Sequence, residues 1–348
     1  MSAIRIGIVG AGANTRQRHI PLLRQIPGVT LRAVCNRRPE STRRVAQEFG
    51  IPLTFGRWEE LVASDEMDAV VIGTWPYLHC PVTVAALEAG KHVLCEARMA
   101  MNAAEAHRML EASRAHPDQV AQLVPAPYSL RVDPTVMDLI AEGYLGDLLV
   151  ANVRGVGTAF IDRESPLHWR QDIHLSGLNT LAMGIWHEML MRWVGNTSRV
   201  LAHARVFVPE RVDPETGHVT RVLVPDHVDI IADLEAGAQA SYQFSAVEGL
   251  GGQSGIGLFG SEGTLRFDAD GDRLLGGRPG DDALAEIAIP PEKEGHWRVE
   301  ESFIGAIRGE EPVRLATFED GVRYMEFTEA VARSSRSGCA VGLPLSGS

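Results

Sequence analysis

The sequence predicts an α/β protein built from an N-terminal doubly wound parallel sheet and a C-terminal α+β domain around a large, open, mostly antiparallel sheet. Over the first 124 residues, short apolar runs such as Ile4–Val9 and residues 69–73 alternate with helical segments. Such alternation is typical of a parallel sheet buried on both faces. From residue 148 onward, strand-like runs follow one another with Gly and Asp turns between them, which predicts antiparallel pairing. We therefore assign residues 1–124 to a dinucleotide-binding domain and 125–348 to a second domain. Packing of the C-terminal helices back on the first domain is left open.

Composition excludes several classes of protein. The chain has 348 residues, 45% of them hydrophobic and 22% charged, with a net charge of −12, which disfavours a broad nucleic-acid surface. No apolar run approaches the ~20 residues of a membrane span, and the first strand begins too early for a leader peptide. The four cysteines show no C-x-x-C spacing, which favours free thiols in a reducing compartment. These features predict a cytoplasmic protein that does not bind membranes.

A glycine turn follows the first strand. Gly10-Ala11-Gly12 comes directly after Ile4–Val9, and a helix is predicted over residues 15–26. Free N–H groups and the positive dipole end of such a helix form an anion site, and a glycine lets a pyrophosphate approach the backbone. Thr15 replaces the third glycine of a dinucleotide fingerprint, so we expect looser packing of helix on strand. An ordinary strand–helix turn is the alternative interpretation.

The end of the second strand carries basic residues. Residues 31–35 run into Asn36-Arg37-Arg38, with Ser41 just beyond. An NAD site usually has an acidic residue here for the ribose 2′-hydroxyl, whereas arginine accepts a 2′-phosphate bidentately. The pattern therefore favours NADP, with NAD possible. A solvated basic strand end is the alternative.

Two further strand ends carry polar residues, at 74–79 and 96–98. Ligands of doubly wound sheets bind at the carboxyl ends of the strands, so the clustering supports a dinucleotide site. His79 could instead cap the following helix. The expected cofactor contacts in this domain are Gly10, Gly12, Ala13, Asn14, Thr15, Asn36, Arg37, Arg38, Ser41, Thr74, Trp75, His79 and Glu96.

The sequence resembles the Gfo/Idh/MocA family (glucose–fructose oxidoreductase, inositol dehydrogenase, MocA) along nearly the whole chain. The similarity lies in Gly10-Ala11-Gly12 with His19-Ile20-Pro21, the turn 74–79, the segment 85–96, Trp169-Arg170, and Gly184…Trp193…Gly195. It implies a Rossmann domain, a second domain whose open sheet makes a homodimer or homotetramer, and cofactor contacts from Trp169 and Arg170. Most members use NAD(P) on sugars, inositols or related hydroxy compounds, and a smaller group cleaves glycosides without net redox change.

The sequence also departs from the family pattern. The usual Glu-Lys-Pro is Glu96-Ala97-Arg98, so the lysine is missing. The usual Asp-x-Gly-x-His-x-x-Asp falls on residues 182–189, where Ala182, Trp186 and Met189 replace the aspartate, the histidine and the last acid. Both standard proton-transfer groups are therefore absent from their places.

Other residues are candidates for the missing chemistry. His187 lies one position past the usual histidine, and its ordinary pKa suits an acid/base. A helix turns about 100° per residue, so a histidine packed in the core is the alternative. Glu188 is a second catalytic candidate, with a salt bridge as its alternative. Arg98, always protonated, is expected to bind the substrate together with His174 and Asn179. His168 and His174 lack a metal-ligand spacing, so no metal is predicted.

These observations predict an NADP-preferring oxidoreductase that acts on a small sugar, cyclitol or related hydroxy or carbonyl compound. The missing groups leave two alternatives open. One is a non-catalytic NAD(P)-binding sensor or partner subunit. The other is a redox-neutral glycoside-cleaving enzyme or lyase that retains its cofactor.

Overall fold

The computed structural model describes residues 3–346. The chain forms two compact units. The first comprises Met1–Pro125 and Arg298–Val322, and the second comprises Ala126–Trp297 and Arg323–Ser348.

The first unit contains a six-stranded parallel sheet with the order β3-β2-β1-β4-β5-β6. The order reverses between β1 and β4, and a crevice at such a switch point is where doubly wound sheets bind ligands. The elements up to residue 123 are β1 (Ile4–Val9), α1 (Ile20–Gln25), β2 (Val29–Cys35), α2 (Pro39–Glu48), β3 (Leu53–Thr54), α3 (Trp58–Ala63), β4 (Ala69–Ile72), α4 (His79–Glu88), β5 (His92–Cys95), α5 (Ala103–Ala115) and β6 (Ala121–Leu123).

Local sequence accounts for these elements. All four residues of β4 are fully buried, as expected for a central strand covered on both faces. At the start of α5, Asn102 Oδ1 accepts a hydrogen bond from the backbone N–H of Glu105, and the Glu105 carboxylate accepts one from Met101 N–H. These two contacts satisfy backbone N–H groups that the first turn of the helix leaves without a partner.

The second unit contains a nine-stranded sheet with the order β16-β15-β14-β13-β7-β12-β11-β8-β17. The pair β7–β12 is parallel and the other pairs are antiparallel, as predicted. The remaining elements of the chain are α6 (Asp133–Ala141), β7 (Leu148–Val156), α7 (Ile173–Ser176), α8 (Met183–Val194), β8 (Thr197–Arg205), β9 (Glu210–Val212), β10 (Val219–Arg221), β11 (His227–Leu234), β12 (Gln239–Ser245), β13 (Gly255–Gly260), β14 (Thr264–Asp268), β15 (Arg273–Gly277), β16 (Ala285–Glu286), α9 (Val299–Ile307), α10 (Phe318–Ser337) and β17 (Val341–Gly342).

The large sheet has one buried and one open face. Along β11, buried Val228, Ile230 and Ala232 alternate with more exposed residues, and Ile231 is 54% exposed. Leu201 on β8 and Val150 on β7 lie on the same face and are also exposed. The open face therefore carries apolar side chains as well as polar ones.

One element differs from the sequence expectations. The segment after the glycine turn is a π-helical turn, Thr15–His19, followed by the short helix α1, instead of one α-helix over 15–26. Helix α4 begins at His79. Helix α9, near the C-terminal end of the chain, belongs to the first unit, where it contacts α1. Strands β9, β10 and β15 had no clear signal in the sequence.

The expected loosening at Thr15 does not occur. Thr15 is 1% exposed, and a Cβ added at Gly73, just after β4, would lie 2.0 Å from its Oγ1. The missing fingerprint glycine is thus offset by a glycine on the neighbouring strand end.

Between residues 3 and 346, no helix is both long enough and apolar enough to cross a bilayer.

All four cysteines are free thiols. Cys35, Cys80 and Cys95 are buried, and Cys339 is exposed.

We expect Gly73→Ala to lower the free energy of unfolding by about 1–3 kcal/mol, the usual cost of overpacking. The new methyl would meet Thr15 Oγ1 and, at 2.4 Å, the backbone oxygen of Gly10. Urea denaturation measures the change. Gly56→Ala is the matched control, because a Cβ there has no neighbour within 4 Å. Equal stability of the two variants would contradict the close approach.

Candidate functional site

The glycine turn contacts Thr74 and Asn36, and the backbone at Gly12 is exposed. Gly10 has φ +86°, and a Cβ on it would lie 2.5 Å from Thr74 Cγ2, so only glycine fits. The Ala11 N–H donates to Asn36 Oδ1 at 2.7 Å. Gly12 is exposed, and the nearest atom to a Cβ there would be Gly73 O at 3.4 Å. The turn therefore presents open backbone at the carboxyl edge of the sheet.

The polar residues after β2 divide into two groups. Asn36 is engaged within the protein, because it accepts from Ala11 N–H and donates from Nδ2 to Ser41 Oγ at 2.9 Å. Arg37 and Arg38 are exposed, and the Arg37 guanidinium lies 5.4 Å from the centre of the Trp75 ring. Asn36 and Ser41 thus shape the turn, while the two arginines place positive charge at the surface beside it.

His79 contacts backbone carbonyls in the loops that follow β4 and β5. Its ring is fully buried, with Nδ1 2.9 Å from Arg98 O and Nε2 2.9 Å from Thr74 O. Burial lowers the pKa of His79, against the effect of these carbonyl contacts. The hydroxyl of Thr74 is buried and has no hydrogen-bond partner within residues 3–346. An unsatisfied hydroxyl beside a glycine turn fits a site that a polar ligand completes.

A charged cluster lies beside the turn. His19 Nδ1 is 2.5 Å from Glu300 Oε1, and His19 Nε2 is 2.9 Å from Glu96 Oε1. Asn14 Nδ2 also donates to Glu96 Oε1. His19 and Glu300 are fully buried, whereas the Glu96 side chain is 15% exposed.

The carboxylates control the charge of His19. Burial alone would lower its pKa, but the hydrogen bonds to Glu300 and Glu96 outweigh burial and raise the pKa of His19 to about 9. For Glu96, burial favours the neutral acid, yet the contacts with His19 and Asn14 prevail and lower its pKa. At neutral pH the cluster therefore holds His19 as an imidazolium in contact with both Glu96 and Glu300.

In the second unit, the structure places His187 in the core. The ring is stacked on Phe327 with centroids 3.6 Å apart, and Nδ1 lies 3.2 Å from the Tyr242 hydroxyl. Burial lowers the pKa of His187 to about 3. The ring is thus neutral and packed at physiological pH.

Glu188 and Asn179 are also buried in the second unit. Glu188 Oε1 accepts from Ala126 N–H at 2.9 Å and from Arg192 at 3.2 Å, and Arg192 also pairs with Asp133. Asn179 Nδ2 donates to Ser176 O at 2.7 Å. Both side chains hold neighbouring backbone in place.

The polar segment before α7 is more accessible. His168 and His174 are exposed, and Trp169 and Arg170 are half-buried. The Arg170 guanidinium lies 4.3 Å from the centre of the Trp169 ring, a cation–π contact. His168 Nδ1 accepts from Arg170 N–H at 3.2 Å. Arg98, in the first unit, is only 4% exposed.

Trp186, on α8, lies in the core of the second unit. A Cβ added at Gly155 on β7 would lie 2.6 Å from Trp186 Nε1, so this glycine makes room for the indole. The Tyr128 ring lies 5.5 Å from it. Among residues 3–346, no three His, Cys, Asp or Glu side chains are grouped so that they could hold a metal ion.

Sequence reasoning missed two members of the charged cluster. His19 was noted only as part of a family motif, and Glu300 was not noted at all. The two residues are 281 positions apart, and no local pattern links them.

We expect His187→Ala to lower the free energy of unfolding by about 3 kcal/mol, because removal of a packed ring leaves a cavity. His174→Ala is the matched control, since this histidine is exposed, and its effect should stay within about 0.5 kcal/mol. Chemical denaturation at pH 7 measures both. A stable His187→Ala protein that has lost only turnover would instead support a catalytic role.

Comparisons with known proteins agree with this architecture. Residues 4–122 match the model of the oxidoreductase family with an NAD-binding Rossmann fold, and residues 135–266 match the GFO/IDH/MocA C-terminal domain. An uncharacterised oxidoreductase from Rhizobium meliloti is 28% identical over 221 residues, which span 62% of each chain. Inositol 2-dehydrogenase from Acidothermus cellulolyticus is 27% identical over 268 residues, 75% of this chain and 74% of that protein.

Among solved structures, levoglucosan dehydrogenase in complex with NADH and L-sorbose superposes with a TM-score of 0.86 at 22% identity. The match covers 99% of this chain and 100% of that one, and it shows a shared fold. With both domain models matched in their expected order, the chain belongs to the GFO/IDH/MocA oxidoreductase family.

Proposed function

We propose that the protein is an NAD(P)-dependent oxidoreductase that acts on a CH–OH or carbonyl group of a small sugar, cyclitol or related compound. The observation that carries the proposal is the open glycine turn at the switch point of the parallel sheet, next to the unsatisfied Thr74 hydroxyl. The names of relatives support the substrate class, since they include an inositol dehydrogenase and a levoglucosan dehydrogenase.

The residues of the first unit fit the cofactor. The backbone of residues 10–15 would hold the pyrophosphate, and Thr74 and Glu96 would contact the nicotinamide half. When bound, the nicotinamide gives or accepts the hydride. Arg37 and Arg38 are exposed cations where the adenosine ribose of such cofactors lies, so we propose a preference for NADP.

We propose substrate contacts for those side chains of the second unit that are exposed or half-buried. His174 is exposed on α7 and remains a candidate to bind substrate or exchange its proton. Trp169 and Arg170 precede it as a half-buried stacked pair that offers both an aromatic face and a positive charge. We assign packing or positioning roles to His187, Glu188, Asn179 and Arg98, because all four are buried.

A cofactor-binding protein without turnover is the second candidate. The observation that favours it is that Ala182, Trp186 and Ala97 stand where the family's proton-transfer residues are expected. A redox-neutral lyase or glycoside-cleaving enzyme would also bind the cofactor, but it would not consume it. We further propose a homodimer or homotetramer through the open sheet face, and a cytoplasmic location consistent with the buried free thiols.

The first test is direct. Binding of NADPH and NADH is measured by the fluorescence of the cofactor. Oxidation or reduction of the cofactor in the presence of a panel of sugars and cyclitols is then measured by the absorbance of the nicotinamide. We expect micromolar binding and turnover of at least one compound. Binding without turnover would favour the second candidate, and conversion of a glycoside without net cofactor change would favour the redox-neutral enzyme. No binding would overturn the proposal.

The double variant Arg37→Ala/Arg38→Ala should weaken NADPH binding about tenfold or more, since each charge-assisted hydrogen bond contributes about 1.5–3 kcal/mol. NADH binding should hardly change. Arg108→Ala, an exposed arginine on α5, is the control for a general loss of positive charge. Equal losses for both cofactors would contradict a 2′-phosphate contact.

A further inference from the structure

The buried cluster formed by Asn14, His19, Glu96 and Glu300 brings together three separate parts of the first unit. Asn14 and His19 come from the glycine turn and the π-helical turn, Glu96 follows β5, and Glu300 lies in the first turn of α9. Two buried charges of like sign persist in a protein interior only when an opposite charge pairs with both of them. His19 supplies that opposite charge.

We propose that Glu300 and His19 are positioning residues of the cofactor site. In this proposal Glu300 keeps His19 doubly protonated, and His19 holds Glu96 as a fixed, ionised hydrogen-bond acceptor for a cofactor hydroxyl. This inference rests on the proposed NAD(P)-dependent function and adds two residues to its site.

Proton counting supports the arrangement. A neutral imidazole carries one N–H, whereas both ring nitrogens of His19 face a carboxylate oxygen, at 2.5 and 2.9 Å. Only the imidazolium donates to both. If the ring lost the proton on Nε2, a nitrogen lone pair would face Glu96 Oε1, and the repulsion would turn Glu96 away from its present position.

Glu96 is placed to act on a ligand. The contacts from Asn14 and His19 both end on Oε1, so neither of them occupies Oε2. The side chain is 15% exposed at the carboxyl edge of the sheet, whereas its partners His19 and Glu300 are fully buried. The cluster therefore presents one carboxylate edge outward and keeps its other charged groups in the interior.

The groups that face His19 come from several elements of the first unit. Glu300 from α9, Glu96 after β5 and the Asn14 amide face His19, and Glu96 also senses His79, whose pKa burial lowers. The pKa of His19 is raised from 6.5 to about 9. Its contribution to stability is therefore complete below pH 6.5 and is lost as the pH rises through about 9.

The experiment uses the full-length chain and the variants Glu300→Gln and Glu301→Gln. Glu301 is exposed and adjacent on α9, so its variant removes the same charge without touching His19. Nitrogen-15 NMR of the labelled histidine rings gives the protonation of His19 from pH 6 to 10 without any cofactor. The Kd for NADPH and NADH over the same range is the second readout.

We expect His19 of the wild type to be doubly protonated at pH 7 and to titrate near pH 9. The Kd for the cofactors should be constant up to about pH 8 and should rise at higher pH. Glu300→Gln should move both transitions to a pH about one unit lower, because one charge partner is gone. Glu301→Gln should leave both in place.

Several outcomes would overturn the inference. The first is a neutral His19 ring at pH 7 in the wild type. This measurement needs no variant, so it can be made even if Glu300→Gln does not fold. Identical pH profiles of Kd in wild type and Glu300→Gln would also overturn it, while cofactor binding at pH 7 would leave the proposed function standing. Absence of binding at every pH would overturn the proposed function, and with it the role of Glu96.

Discussion

The imidazolium of His19, enclosed between Glu96 and Glu300, joins three separate segments of the first unit, and their arrangement depends on it. It connects residues 281 positions apart in the chain, and His19 and Glu300 are fully removed from solvent. Burial of a charge costs several kcal/mol per ion unless partners replace the lost water. The cluster satisfies this condition only if the π-helical turn, the end of β5 and α9 keep their positions. The same contacts fix Asn14, next to the glycine turn.

A buried histidine has a raised pKa in the first unit and a lowered pKa in the second unit. His19 has carboxylates on both ring nitrogens, and its pKa rises to about 9. His187 has a phenol and a stacked phenylalanine ring, and its pKa falls to about 3. Residue type and position in a motif suggested His187 as the acid/base, but the surroundings of each ring determine its charge. Of these two rings, the one that carries charge, His19, lies in the first unit.

Much of the fold was predictable because its signals are local. Apolar runs with glycine ends indicated the strands of the parallel sheet, and runs joined by Gly and Asp turns indicated the antiparallel pairing. The glycine turn after β1 marked the carboxyl edge of the parallel sheet, where the structure has exposed backbone at Gly12. The contact of His19 with Glu300 depends on the tertiary fold, and no periodicity encodes it. Short strands such as β9 and β10 span too few residues for a pattern to emerge.

Two departures from the expected motifs are each matched by a glycine on a neighbouring strand. Thr15 replaces a fingerprint glycine, and Gly73 leaves space for its side chain. On α8, Trp186 stands where the sequence comparison led us to expect a histidine, and Gly155 leaves space for the indole. At both places the larger side chain and the glycine are sterically coupled, because a Cβ on the glycine would lie within 3 Å of that side chain. A larger residue at either position is therefore compatible with the fold only while its partner remains glycine.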